Sequence, residues 1–428
     1  MASKKDKFVI GLTGSVGSGC TTLSRVIEHS GFHRISISDL IKEKFREIHD
    51  KESTKKSYGP DWRYELQSIG NRGRRGEFNK TPLSEEKAKS FWIKLAIDKA
   101  GRFQAKGVVI DGIRNIHEVK YLRKTYSSFW LLAVHADYET RWKRVEKSNV
   151  YANEKDFRRD DLRDSGEDDP AGQDVRDCVY DADYVFCNEE ELHPSSHRDQ
   201  VLDGKLAGEI ALMKGEDDVR GPRQREVFMT TAVSQSFASS CLKRKVGALI
   251  ANEEDKIPLS VGYNDNPVGM ESCFLVYNGI CYKDMLMEKK LEHMAPIHCP
   301  ECGTLQEALK WPWTCNGKKS DGQTCTCNFK QTFFPSRNIE LCTAIHAEER
   351  AIRSLGHRSA EGCTLYVNTF PCFQCSRYIK DAGIKKIVYV EAYPIPEAKD
   401  FLVQNGIDFE MYEGIMPRVF NQVFRQVQ

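Results

Sequence analysis

Short apolar runs punctuate the first half of the chain at residues 8–13 (FVIGLT), 35–37, 108–111 (VVID), 129–134 (FWLLAV) and 181–186 (DADYVF). Each has the length and the β-branched or aromatic content of a buried strand. Beyond residue 221 a helical period enters. Val227, Phe228, Ala232, Val233, Phe237 and Ala238 recur at helical spacing, and the stripe predicts a core-facing helix. Ala347, Ala351, Ile352 and Leu355 repeat the pattern after His346, with Gly356 as a stop. Residues 364–367 (TLYV) and 384–390 predict strands, and Pro371 opens a helix through Cys375 to Ile379 before Gly383. This alternation is the βα layering of an α/β fold. Between the two regions, residues 189–221 hold few large apolar side chains and predict a connection with a short helix near 206–213. Charges dominate 149–169, which predicts a lid or, preferred here, a solvated loop whose Arg158, Arg159 and Arg163 could meet phosphates.

At 428 residues the chain exceeds one ordinary core. The expected organisation is residues 1–190, a linker at 191–221, and a second domain at 222–428. With 63 basic and 62 acidic residues the net charge is +1, which disfavours a broad polynucleotide-binding face and suits a free nucleotide. No run of eighteen apolar residues occurs, and MASKKDK leads into a strand without a signal-peptide core, so a cytoplasmic protein without membrane contact is expected. The fifteen cysteines then read as metal ligands or buried thiols.

The densest chemistry is His346-Ala347-Glu348 followed by Pro371-Cys372-Phe373-Gln374-Cys375. His346, Cys372 and Cys375 supply the three protein ligands of a catalytic zinc, leaving a position for water. Glu348, two residues from the imidazole at a helix start, can take a proton there and return it to a departing amine. A histidine, a glutamate two residues on and a Pro-Cys-x-x-Cys form the pattern of zinc deaminases acting on nucleobases.

Gly14-Ser15-Val16-Gly17-Ser18-Gly19-Cys20-Thr21 follows the first strand with the spacing of a phosphate-binding P-loop. The expected lysine is Cys20. A unit charge about 4 Å from a phosphate contributes on the order of 4 kcal/mol at an effective dielectric of 20, so this loop is expected to bind a nucleotide and Mg weakly and to transfer phosphate poorly. Thr21 and Asp111 remain candidate phosphate or magnesium contacts. A second metal site, a structural zinc, is expected on four of Cys299, Cys302, Cys315, Cys325 and Cys327, stapling an insertion over about 273–335. Cys273 and Cys281 are ambiguous. Lys243, Arg244 and Lys245 form a basic cluster available to a substrate phosphate.

Residues 223–412 resemble the deoxycytidylate deaminases, within the cytidine deaminase fold, through the two motifs above together with CLKRKVGA at 241–248 and Gly262-Tyr263-Asn264. That resemblance implies Asn264 on the sugar or base edge, the backbone at Ala347 on the pyrimidine, and Tyr389 in the pocket wall. Residues 7–188 resemble deoxynucleoside monophosphate kinases, also through Arg63, Gln67, Gly70-Asn71-Arg72 and Gly112-Ile113-Arg114-Asn115. The implied fold is a P-loop three-layer α/β domain joined to a cytidine-deaminase-like α/β/α domain. Together the halves resemble the bacterial antiphage deoxycytidylate deaminases. This implies zinc-dependent deamination of dCMP, with dCTP as a further candidate, in an oligomer whose P-loop domain is regulatory and takes a nucleotide effector. Some members of that family are held inactive by a small RNA. A bifunctional kinase-deaminase, a polynucleotide deaminase and a non-enzymatic nucleotide or RNA sensor are the alternatives the residues leave open.

Overall fold

The computed structural model describes residues 7–49, 62–78, 88–101, 105, 107–148, 151, 153–166, 171–189, 197–216, 219–286, 297–298, 302, 305–306, 317–318, 321–325, 342–390 and 396–425. Strands β1 (Phe8–Thr13), β2 (Phe32–Ser36), β3 (Gly107–Asp111), β4 (Phe129–His135) and β5 (Tyr184–Cys187) form a parallel sheet in the order β5-β4-β1-β3-β2. Strands β3 and β4 are buried along their whole length, as a sheet covered on both faces requires. Helix α1 (Cys20–His29) follows β1, so the glycine-rich loop lies at the carboxyl end of the central strand, where such sheets bind ligands.

Three expectations change here. Residue 37 belongs to the helix Ile37–Ile48, not to strand β2, and Asp39 lies in the first turn of that helix. The Ser36 hydroxyl accepts a hydrogen bond from the Asp39 N–H at 3.3 Å and caps the helix. The charged stretch after residue 149 contains a helix, Glu154–Ser165, and is no solvated loop. Its Asp160, Asp161 and Asp164 are buried because they pair with Arg63, Arg141 and Arg114. The connection holds a 17-residue helix, His197–Met213, with Leu206, Ile210 and Met213 buried.

The second sheet comprises β6 (Gly247–Asn252), β7 (Ile257–Tyr263), β10 (Thr364–Val367), β11 (Lys386–Tyr389) and β12 (Asp408–Met411) in the order β12-β11-β10-β6-β7. Strands β10, β11 and β12 run parallel, while β6 is antiparallel to both of its neighbours. A small antiparallel pair, β8 (Ile297–His298) and β9 (Leu305–Gln306), brackets Cys302. The chain then returns to the first sheet. Strand β13 (Gly414–Ile415) adds antiparallel to β5, and the following helix Pro417–Phe424 buries Val419 and Val423 in the core of the first sheet.

Polar contacts lock this return. The buried Glu226, in helix α2 (Gln224–Ser236), accepts the Ile415 N–H at 2.9 Å and pairs with Arg220 at 2.8 Å. Asp183 receives Arg123 at 3.0 Å and also Arg418 from the C-terminal helix. One apolar cluster runs from Val9 and Val185 through Phe228 to Met416, so the two sheets share a core.

Candidate active site

Two helix starts face each other beside the second sheet. His346 is the N-cap of α3 (Ala347–Arg353), and Cys372 is the N-cap of α4 (Phe373–Asp381), with Cys375 in its first turn. His346 Nδ1 lies 3.4 Å from Cys372 Sγ and 3.3 Å from Cys375 Sγ. Metal bonds of about 2.1 Å to nitrogen and 2.3 Å to sulfur, at tetrahedral angles, would separate these atoms by roughly 3.5 Å. The donor set therefore fits zinc. Contact with Cys375, working against burial, and the His346 imidazole lower the Cys372 thiol to about 4. That is the deprotonated form a zinc ligand needs, and a helix N-terminus favours it as well. The Cys372 contact raises His346 to about 9.

Glu348 stands in the first turn of α3 and is only 4% exposed. Burial pushes its carboxyl above the usual range, with His346 opposing. A carboxyl so placed is suited to passing a proton near neutral pH. Ala347 beside it is fully buried.

Helix α3 is seated by backbone contact. A Cβ added to Gly262 of β7 would lie 2.3 Å from the Ala347 oxygen and 2.4 Å from the Ala351 nitrogen, so only glycine permits this approach. The Ser260 hydroxyl donates to the Ala351 oxygen at 2.8 Å, and Asp265 and Ile345 exchange backbone bonds at 3.1 and 2.9 Å.

The Asn264 side chain accepts from the Val246 N–H at 2.7 Å and donates to the Arg244 oxygen at 2.9 Å. One lone pair and one N–H remain beyond these two bonds. Asn368, which sequence reasoning missed, performs the matching task. It accepts from the Gly247 N–H and donates to the Lys245 oxygen, both at 3.0 Å, and reaches the Tyr180 hydroxyl at 3.1 Å. Its only signal was its place just after an apolar strand. Both asparagines hold the backbone of the basic segment 244–247, next to Lys243, which pairs with Asp284.

Tyr389 closes strand β11. It is 1% exposed, its ring packs on Phe370 at 4.8 Å, and burial, joined by the charges of Asp137, Cys187 and Glu189, pushes its hydroxyl well above the usual range.

Around the P-loop, Gly17 and Gly19 take φ values of 83° and 103°, the left-handed region glycine allows. Thr21 Oγ1 donates to Asp111 at 3.0 Å, and Arg34 pairs with the same carboxylate at 2.9 Å. A guanidinium thus stands at the carboxylate expected to face a metal. Burial, then Asp111, pushes the Cys20 thiol up to about 12, so Cys20 is a neutral thiol 3.6 Å from the Ser18 hydroxyl. Gly14 packs against the Val134 oxygen, and the Ser15 oxygen accepts from the Ser18 N–H at 3.1 Å. The Val16 N–H donates to Asp164 at 3.2 Å.

Of the thiols expected in a second zinc site, Cys299, Cys315 and Cys327 lie outside the described residues; Cys302 is half-buried and Cys325 buried. Burial pushes up the Cys342 thiol, and so do the neighbouring thiols of Cys241, Cys281 and Cys273, a grouping the spacing did not disclose. Among the described residues no helix is long and apolar enough to cross a membrane.

Residues 222–391 match the family model of the cytidine and deoxycytidylate deaminase zinc-binding region. The deoxycytidylate deaminase of Saccharomyces cerevisiae is 27% identical over 214 residues, covering 49% of this chain and 52% of that enzyme. That of Enterobacteria phage T2 is 30% identical over 177 residues, covering 40% of this chain and 84% of the phage protein. The UPF0200 protein of Methanothermobacter thermautotrophicus is 25% identical over 216 residues, or 50% of this chain and 97% of its own length. The chain thus spans about half of the yeast relative and most of the phage one. With the imidazole, two thiols and a buried carboxylate gathered at two facing helix starts, the chain belongs to the deoxycytidylate deaminase family, hydrolases of carbon–nitrogen bonds.

Proposed function

We propose that the protein hydrolyses the exocyclic amine of deoxycytidine nucleotides, converting dCMP to dUMP and dCTP to dUTP. The observation that carries this reading is the convergence of His346, Cys372 and Cys375 beside the buried carboxyl of Glu348. Zinc held by those three side chains supplies a water acidified toward neutrality. Glu348 would take one proton from that water and pass it to the ring nitrogen as the oxygen bonds to the amine-bearing carbon, then carry the second, from the added hydroxyl, to the amine as the C–N bond breaks and ammonia leaves. Burial raises the affinity of Glu348 for a proton, which favours its taking one. Asn264 has hydrogen-bonding capacity left for the sugar or base edge, and the backbone at Ala347 borders the pyrimidine. Lys243, Arg244 and Lys245 are the cations nearest in sequence for the substrate phosphate.

The P-loop half is regulatory in this reading and takes a nucleotide effector. A neutral Cys20, and an Asp111 already engaged by Arg34 and Thr21, weigh against phosphoryl transfer. A second, structural zinc lies in the insertion on four of Cys299, Cys302, Cys315, Cys325 and Cys327. The joining of the two halves resembles the antiphage deaminases, so the biological role proposed is depletion of deoxycytidine nucleotides in a cytoplasmic homo-oligomer, with a small RNA as a candidate inhibitor.

The test is product identification by mass spectrometry from dCMP, dCTP and single-stranded DNA, for the wild type and for Glu348→Ala. Glu348→Ala should retain zinc and lose nearly all turnover. An active, zinc-loaded Glu348→Ala protein removes Glu348 from the mechanism, and deamination of DNA alone overturns the substrate class.

A further inference from the structure

A second set of ligand-type side chains meets where the two halves touch. His135 ends β4, Asp137 caps the helix Tyr138–Lys147, and Glu189 lies two residues beyond β5. His135 Nε2 is 3.6 Å from an Asp137 oxygen and 3.6 Å from a Glu189 oxygen, and all three donor atoms lie within 4.8 Å of one another. We propose that His135, Asp137 and Glu189 form a divalent-cation site on the seam between the halves.

At 3.6 Å each contact is a long ion pair, a spacing that also leaves room for a metal between the donors. An imidazolium bound to carboxylates would donate at about 2.7–2.9 Å, and neither partner here approaches so closely. Tetrahedral bonds of about 2.1 Å place neighbouring nitrogen and oxygen ligands roughly 3.4 Å apart, close to what is seen. His135 sits slightly farther from its two partners than His346 does from its two thiols.

The site is also held in shape. Glu189 accepts the Asp137 backbone N–H through both oxygens, at 2.9 and 3.0 Å, which ties the Glu189 carboxylate to the backbone at Asp137. The His135 side chain is 10% exposed, and His135 lies opposite Cys187 in the parallel register of β4 and β5. From the second half, the charges of Asp137 and Glu189 act on the buried Tyr389, and Lys399 pairs with Glu139 at 3.3 Å. Two carboxylates offer negative charge to a dication, and the cations that act on Asp137, Lys399 and Arg141, are each already paired, with Glu139 and Asp161. One nitrogen and two oxygen donors select a borderline ion of the zinc or manganese class, unlike the thiolate site at His346.

Manganese discriminates between the two centres. Chelator-treated full-length protein is titrated with Mn²⁺, and free ion is followed by electron paramagnetic resonance. Wild type should retain one equivalent. His135→Ala and Glu189→Gln should bind at least tenfold more weakly, while Cys372→Ser should bind as wild type does. Glu189→Gln preserves an acceptor for the Asp137 N–H, so it decides the matter if His135→Ala does not fold. A wild type that binds no manganese, or Glu189→Gln that binds as wild type does, overturns the proposal.

Discussion

Gly262→Ala tests how the active-site helix is held. The new methyl carbon would lie 2.3 Å from the Ala347 oxygen, 2.4 Å from the Ala351 nitrogen and 3.0 Å from the Ala351 Cα. Ordinary contacts begin near 3.5 Å, so α3 or β7 must retreat by about 1 Å. All the opposing atoms are backbone, and no side chain can turn aside. Overpacking of this kind costs about 1–3 kcal/mol. The larger effect falls on chemistry, because α3 carries His346 at its cap and Glu348 in its first turn. Metal–ligand distances tolerate only about 0.2 Å, and a 1 Å misplacement can reduce turnover by about 10²-fold. Zinc content by mass spectrometry, kcat on dCMP and the thermal midpoint should all fall together. Gly208→Ala is the control, since a Cβ there meets nothing within 4 Å and should stabilise by about 0.5–1 kcal/mol. A Gly262→Ala protein with full zinc and turnover within about twofold of wild type would refute the close-contact account of how α3 is seated.

Glu226 gives a pH signature. Burial opposes its ionisation, but Arg220 and the N–H groups of Ile415 and Arg223 prevail and hold its carboxyl below the usual 4.5. Its stabilisation is therefore complete above about pH 4.5 and lost as pH falls through the folded-state value. Urea midpoints measured from pH 7 to 3.5 should show a drop that Glu226→Gln flattens. Asp164→Ala leaves Arg114 without its carboxylate. Because the Arg114 side chain is 26% exposed, the loss should be about 2 kcal/mol by urea denaturation, below the 3–5 kcal/mol of a fully buried pair. Asn368→Ala frees the Gly247 N–H and the Lys245 oxygen, and it should lower the thermal midpoint and raise KM for dCMP by loosening segment 244–247. Cys299→Ser with Cys302→Ser should remove one zinc by mass spectrometry while the His346 centre keeps its own.

Local chemistry made the active site legible. His346, Cys372 and Cys375 occupy helix starts announced by a helical apolar period and by Pro371, so their convergence could be expected from spacing. Long strands such as residues 8–13 and 364–367 were equally plain, because each is a continuous apolar run. What escaped notice depends on distant partners. A two-residue strand such as Gly414–Ile415 carries no period, and Arg34 on Asp111 or Asn368 on residues 245–247 leave no local trace. The acidic run at 154–165 resembled solvent-facing sequence because the arginines that bury it lie up to 97 positions away. Tyr389 ends an apolar strand, and nothing local discloses its packing on Phe370.

The return of residues 414–424 to the first sheet has a topological consequence. A single cut in the backbone between the halves would not release two independent bodies, because the N-terminal fragment would still be clasped by the far end of the C-terminal one. Fragments made this way should travel together through native chromatography and part only in denaturant. Neither half could then be swapped between proteins as a self-contained cassette.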